Sequence, residues 1–157
     1  MSWVAIKDAL QALLESVTGI GLVHDYVRRI NNDADLRALG VVGGGTGVIN
    51  LWMHSQIGFT QPLLTTMEKE VQRVWMIRGY YSLSDGNQSE YTFQALVENI
   101  ANGIGADIQL GGACEYIREL VSQVPSDIPH VLLPSSDGGV LCHFADLRMV
   151  IQDRLDR

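Results

Sequence analysis

The run from Val71 to Leu83 constrains this chain more than any other stretch. Its odd positions Val71, Trp75, Ile77, Tyr81 and Leu83 are apolar, while Gln72, Arg78 and Ser82 fall on the opposite face. Alternation with a period of two, sustained over the whole run, predicts a strand longer than usual with one face buried. Ser84-Asp85-Gly86-Asn87 then supplies residues that tolerate turn geometry. After the turn, Phe93, Leu96, Val97, Ile100 and Ile104 recur as one buried helical stripe, with Ser89 placed to cap the helix. A strand that feeds a covering helix is scaffold, and neither element carries a recognisable catalytic motif.

A chain of 157 residues fits one domain with a core of its own. Charged residues make up 18% and apolar ones 46%, which excludes a disordered tail. No apolar run reaches the roughly 20 residues that span a bilayer, so no membrane partner is expected. Lys7, Asp8 and Glu15 interrupt what would be the apolar core of a signal peptide, so the chain is expected to remain in a cytoplasm. The two cysteines, Cys114 and Cys142, read as buried or half-buried thiols. Neither has a second ligand at metal spacing, so no metal or cofactor is expected. The net charge of −7 disfavours binding to a phosphate backbone and would suit a surface past which DNA slides.

Along the chain, Trp3 to Val17 reads as a first helix capped by Ser2, and Gly21 to Tyr26 as a short strand. Residues 31–47, ending in a glycine run, read as a flexible surface loop. Val48 to Ile57 reads as a strand with Ile49, Leu51 and Met53 on one side, and Gly58 to Lys69 as a loop. Asp107 to Leu110 suggests a short strand. Cys114, Ile117, Leu120, Val121 and Val124 are spaced as a third helix, closed by Pro125. Ile128 to Leu133 is a strand, Ser135 to Gly139 a turn, and Val140 to Gln152 a closing strand. The result is an α+β domain over residues 1–157, with a mostly antiparallel sheet and helices packed on one face.

Candidate chemistry is sparse. The glycine run at 40–47 lacks the Lys-Ser/Thr that completes a phosphate-binding loop, because Val48-Ile49 follow it. Cys142 and His143 lie beside Asp146, but neighbours on a strand point to opposite faces and could not act as nucleophile and base. His24-Asp25 reads as a structural pair. No catalytic residue is therefore expected. The interface hints are stronger: Arg73 and Arg78 lie inside the long strand, and Trp52, Phe59, Trp75, Tyr80, Tyr81 and Tyr91 are more aromatics than one domain face can bury. Arg73, Arg78, Trp52, Tyr80 and Phe59 are the residues expected at an interface.

Gly21-Leu-Val-His-Asp-Tyr26 after an N-terminal helix, Trp75 to Asp85 (WMIRGYYSLSD), the helix YTFQALVENI and the ending LCHFADLRMVI together resemble a family of tailed-phage and prophage proteins. The fold that the pattern resembles is that of tail terminator, or tail completion, proteins of long-tailed phages. The resemblance implies a homohexameric ring at the head-proximal end of the tail tube, in the virion after assembly in the host cytoplasm. That ring would stop tube polymerisation, join the tail to the neck and let DNA pass through its lumen. The partners implied are further copies of the chain, the tail tube protein and a neck or head-completion protein. Arg73 or Arg78 would bridge to a neighbour's carboxylate. Another neck component such as a head-closure connector, or a small hydrolase using Cys142, are the alternatives.

Overall fold

The computed structural model describes residues 2–30, 34–35, 38, 41–42, 48–61, 69–123, 131–133 and 140–155. Helix α1 (Trp3–Ser16) opens the chain, and the Ser2 hydroxyl accepts from the Val4 N–H as its cap. Strands β1 (Leu22–His24), β2 (Val41–Val42), β3 (Val48–Thr60) and β4 (Lys69–Ser82) follow, then helix α2 (Ser89–Ala106). Strands β5 (Tyr116–Gln123), β6 (Val131–Leu133) and β7 (Val140–Leu155) complete the chain. The sheet order is β1-β3-β4-β7-β5, with β2 also on β3 and β6 also on β7. Among the described strands only the β1–β3 pair is parallel, so the fold is α+β with α1 and α2 on one face of a mixed, mainly antiparallel sheet.

Alternation along β4 sets the two faces. Trp75 and Ile77 point to the helices, where they join Trp52 of β3 and Ala145, Leu147, Met149 and Ile151 of β7. Onto this layer α1 lays Ile6, Leu10 and Leu14, and α2 lays the expected stripe of Phe93, Leu96, Val97, Ile100 and Ile104. Each buried tryptophan has a polar partner for its indole N–H, as a buried indole requires. The Trp52 Nε1 donates to Asn50 Oδ1 at 2.7 Å, and the Trp75 Nε1 donates to His54 Nδ1 at 3.2 Å.

Gly79 is a necessity of this layer. Its partner in register is Trp52, and a Cβ at position 79 would overlap Cζ3, Cη2 and Cε3 of that indole. The ring is held from above by Phe93 of α2, at 5.9 Å between centroids.

The chain departs from its sequence reading in several places. The stretch expected as a third helix from Cys114 is strand β5, paired to β7. Ile117 and Leu120 share the helix-facing side although three residues apart, because a register shift between Ile117 and Glu119 inserts Arg118 as a bulge. A bulged strand thus copies helical spacing. The strand expected at 107–110 is instead a turn leading into a short 3-10 segment, Leu110–Gly112. Ser89 lies inside the first turn of α2; the cap position belongs to Gln88, in left-handed geometry and without a side-chain cap. Strand β3 continues to Thr60 through a second bulge at Ile57, and β7 runs on to Leu155. Trp52 and Trp75, counted as surface aromatics, are at most 1% exposed. Of the loop expected at 31–47, Val41–Val42 pair with β3 and most of the remainder lies outside the described residues, as does the turn expected at 135–139.

Two tests follow from this packing. Gly79→Val is expected to destabilise the domain by about 1–3 kcal/mol in urea unfolding, with Trp52→Leu in the same chain recovering part of the loss. His54 supplies a pH test. It is fully buried, its Nδ1 accepts from Trp75, and its Nε2–H therefore donates to Gln11 Oε1 at 2.9 Å. Burial depresses its pKa from 6.5 to about 4, against the weaker pull of Asp25 and Glu15. The unfolded chain therefore binds this proton more readily between those values. The contribution is whole above pH 6.5 and is lost as pH falls toward 4, on the order of 3 kcal/mol in all. Replacing His54 by Gln should flatten that part of the stability–pH curve.

Candidate functional site: the open face of the sheet

The face of the sheet turned away from the helices is built from the complementary positions of the same strands. At one end, Ile49, Leu51 and Met53 of β3 meet Tyr80 and Cys142, with Ile30 and Phe144 packed against them. These side chains are enclosed, with Leu51 and Cys142 at 0% exposure. Toward the other end the cover stops. There Met76, Val121 and Val150 form an apolar floor, ringed by Glu119, Asp146 and Arg148, around a cavity of about 130 Å³. That is well below the roughly 300 Å³ at which small-molecule sites begin, and suits a side chain from another surface.

One ion pair organises the centre of this face. Arg78 and Asp146 are cross-strand partners, and the guanidinium grips the carboxylate with two bonds, Nε to Oδ1 at 2.7 Å and Nη2 to Oδ2 at 2.8 Å. Its carbon also stands 5.1 Å from the centre of the Phe144 ring. The Asp146 hydrogen bonds raise the Arg78 pKa above its ordinary value against a smaller effect of burial. Bidentate geometry of this kind fixes both side chains and leaves the outer edge of each toward solvent.

The residues expected at an interface separate into three groups. Phe59 is 63% exposed, an apolar ring held out on the far half of β3. Arg78 and Tyr80 lie on the open face, Arg78 half-buried and Tyr80 within the enclosed cluster. Arg73 and Trp52 belong to the helix side. Arg73 donates from Nε to the buried Asp153 carboxylate at 3.3 Å and from Nη1 to Gln56. Both arginines thus find carboxylates within their own chain, where the sequence reading had one of them bridge to a neighbour.

The groups that suggested catalysis are otherwise engaged. Cys142 faces the enclosed cluster while His143, the next residue, faces the helices and stacks on Phe93 at 5.6 Å. Burial pushes the thiols of Cys142 and Cys114 up to about 11, far from a reactive thiolate at neutral pH. His143 Nε2 does lie 2.8 Å from the Ser89 hydroxyl, a pairing that sequence spacing does not reveal. That hydroxyl also accepts from the Ser84 N–H, and Ser89 and His143 are 4% and 1% exposed. The pair braces the turn into α2 from inside the core.

Sequence reasoning missed Glu119, Val121, Arg148 and Val150. The first two were hidden by reading β5 as a helix; as a strand, alternation alone puts Glu119 and Val121 opposite Leu120. A double-mutant cycle of Arg78→Met and Asp146→Asn is expected to give a coupling of about 1–2 kcal/mol in stability, measured by denaturant unfolding. No protein-family model and no curated protein matches this chain.

Proposed function

We propose that this chain is a structural virion protein of the tail-terminator kind. It forms a ring at the head-proximal end of the tail tube, halts addition of tube subunits there and offers its other side to the neck. The observation that carries this reading is the order of elements around the sheet. An N-terminal helix is followed by the long β3–β4 hairpin, a second helix laid across the sheet, and the closing strand β7 along the full length of β4. That is the order the family resemblance implies: a helix, strands, a helix laid across the sheet, and closing strands.

Two physical features support the same reading. A ring grows by heterologous contacts, so each subunit needs two different patches. The open face around Met76, Val121 and Val150 and the projecting Phe59 are such patches, at opposite sides of the sheet. The charge of −7 keeps a lumen lined by this protein from holding DNA. A head-closure connector would share these features and would differ in binding the portal side.

The expected result is a ring of about six subunits, either for the purified protein in light scattering and negative stain or on addition of tail tubes. Val121→Glu, which places a carboxylate on the open face without touching the helix-side core, should weaken ring formation and lengthen tails. A protein that stays monomeric with and without tail tubes, with normal tail lengths in the variant, would exclude the reading. Binding to portal assemblies instead of tubes would favour the connector.

A further inference from the structure

The sheet ends in two strand edges that no described strand covers. β5 is the last described strand on one side; at its start the Ile117 N–H donates to the Ile108 carbonyl at 2.7 Å, and no described strand pairs with its outer edge over residues 118–123. On the other side β1 and β2 cover β3 as far as Met53, and no described strand pairs with its outer edge over residues 54–60. Open edges present unpaired backbone N–H and C=O groups, and these seek a partner strand.

The two edges match in three respects. They lie level across the sheet. Tyr116 pairs with Gln152, Gln152 with Gln72, and Gln72 with Thr60; at the other end Gln123 leads through Asp146 and Arg78 to Met53. They also match in polarity. Three antiparallel steps separate β3 from β5, so the two strands run in opposite directions. Rotation about an axis along the strands keeps each strand's direction, so β5 of one copy meets β3 of the next antiparallel, the favoured pairing. Finally they match in charge. Residues 54–60 carry no Asp, Glu, Lys or Arg, and β5 carries one Arg and one Glu, on a chain whose net charge is −7. Copies that meet at these edges avoid the repulsion between their remaining surfaces.

We propose that copies of this chain join head to tail, with residues 118–123 of β5 in one subunit hydrogen-bonded along residues 54–58 of β3 in the next. The sheet then runs unbroken from subunit to subunit. Because the edges are level, each step is a rotation with little rise, which closes a ring and does not grow a filament. In this register Gln56 faces Leu120 of the neighbour on the helix side, and Ser55 faces Val121 on the open side. The seam deepens the ring reading above and rests on it.

Directly opposed residues in an antiparallel pair lie about 4.5–5.5 Å apart at Cα, within disulfide range. Mild oxidation of the full-length Gln56→Cys/Leu120→Cys chain, and separately of Ser55→Cys/Val121→Cys, is expected to give a ladder of covalent oligomers on a denaturing gel. Each single variant should stay monomeric, since Cys114 and Cys142 are buried. The second pair lies away from the helix-side core and keeps the test valid if Leu120→Cys weakens folding. Dimers from Ser55→Cys alone would mean a two-fold contact and overturn the seam. A ring by light scattering with neither pair linking would overturn the seam and leave the tail-terminator reading intact. Linked ladders with normal tails in edge variants would keep the seam and remove the tail role.

Discussion

Trp52 lying across Gly79 is the contact on which the rest of this fold depends. Its indole occupies space that a side chain would need at position 79, so β3 and β4 can pair in register only with glycine there. Phe93 stacks on the same ring and fixes where α2 crosses the sheet. Asn50 takes the indole N–H and passes its own amide N–H to the Gly19 carbonyl, which ties the end of α1 to the strand beneath it. One aromatic ring thus sets the distance between two strands, the seat of one helix and the exit of the other.

The two faces of the sheet are solved differently. Against the helices, every polar group brought into the core of β3 and β4 serves another: His54 serves Trp75, and Asn50 serves Trp52. Such fully partnered groups hold a unique packing, and they leave little freedom for chemistry. On the opposite face a closed cluster gives way to an apolar floor ringed by charges, with Arg78 and Asp146 locked to each other at its border. A rigid, partly apolar sheet surface of this sort is suited to receiving another surface. The functional reading therefore rests on shape and edge pairing, with the reactive side chains acting as structural braces.

Much of the scaffold was legible in the sequence. The alternation from Val71 to Leu83, the stripe from Phe93 to Ile104, the cap at Ser2 and the sidedness of Ile49, Leu51 and Met53 each survive in the structure, because period and burial are local properties. The failures have one common cause. β5 was read as a helix because Arg118 bulges out of the ladder and leaves Ile117 and Leu120 three apart on one face, and a bulge exists only relative to the strand it is paired with. Ser89 was read as a cap because nothing nearby in sequence announces that His143, on the last strand, will reach its hydroxyl.

The sequence by itself determined which residues could be buried, where the helices and long strands run, and that the protein is acidic. Those follow from side-chain polarity and backbone preference, which act within a few residues. Only the tertiary structure decided that Trp52 and Trp75 are core, that Arg73 and Arg78 are held by Asp153 and Asp146 of the same chain, and that the far half of β3 lies level with β5 across the sheet. Each of these is a relation between strands distant in sequence. It is fixed by register, and register is chosen by the whole layer packing at once.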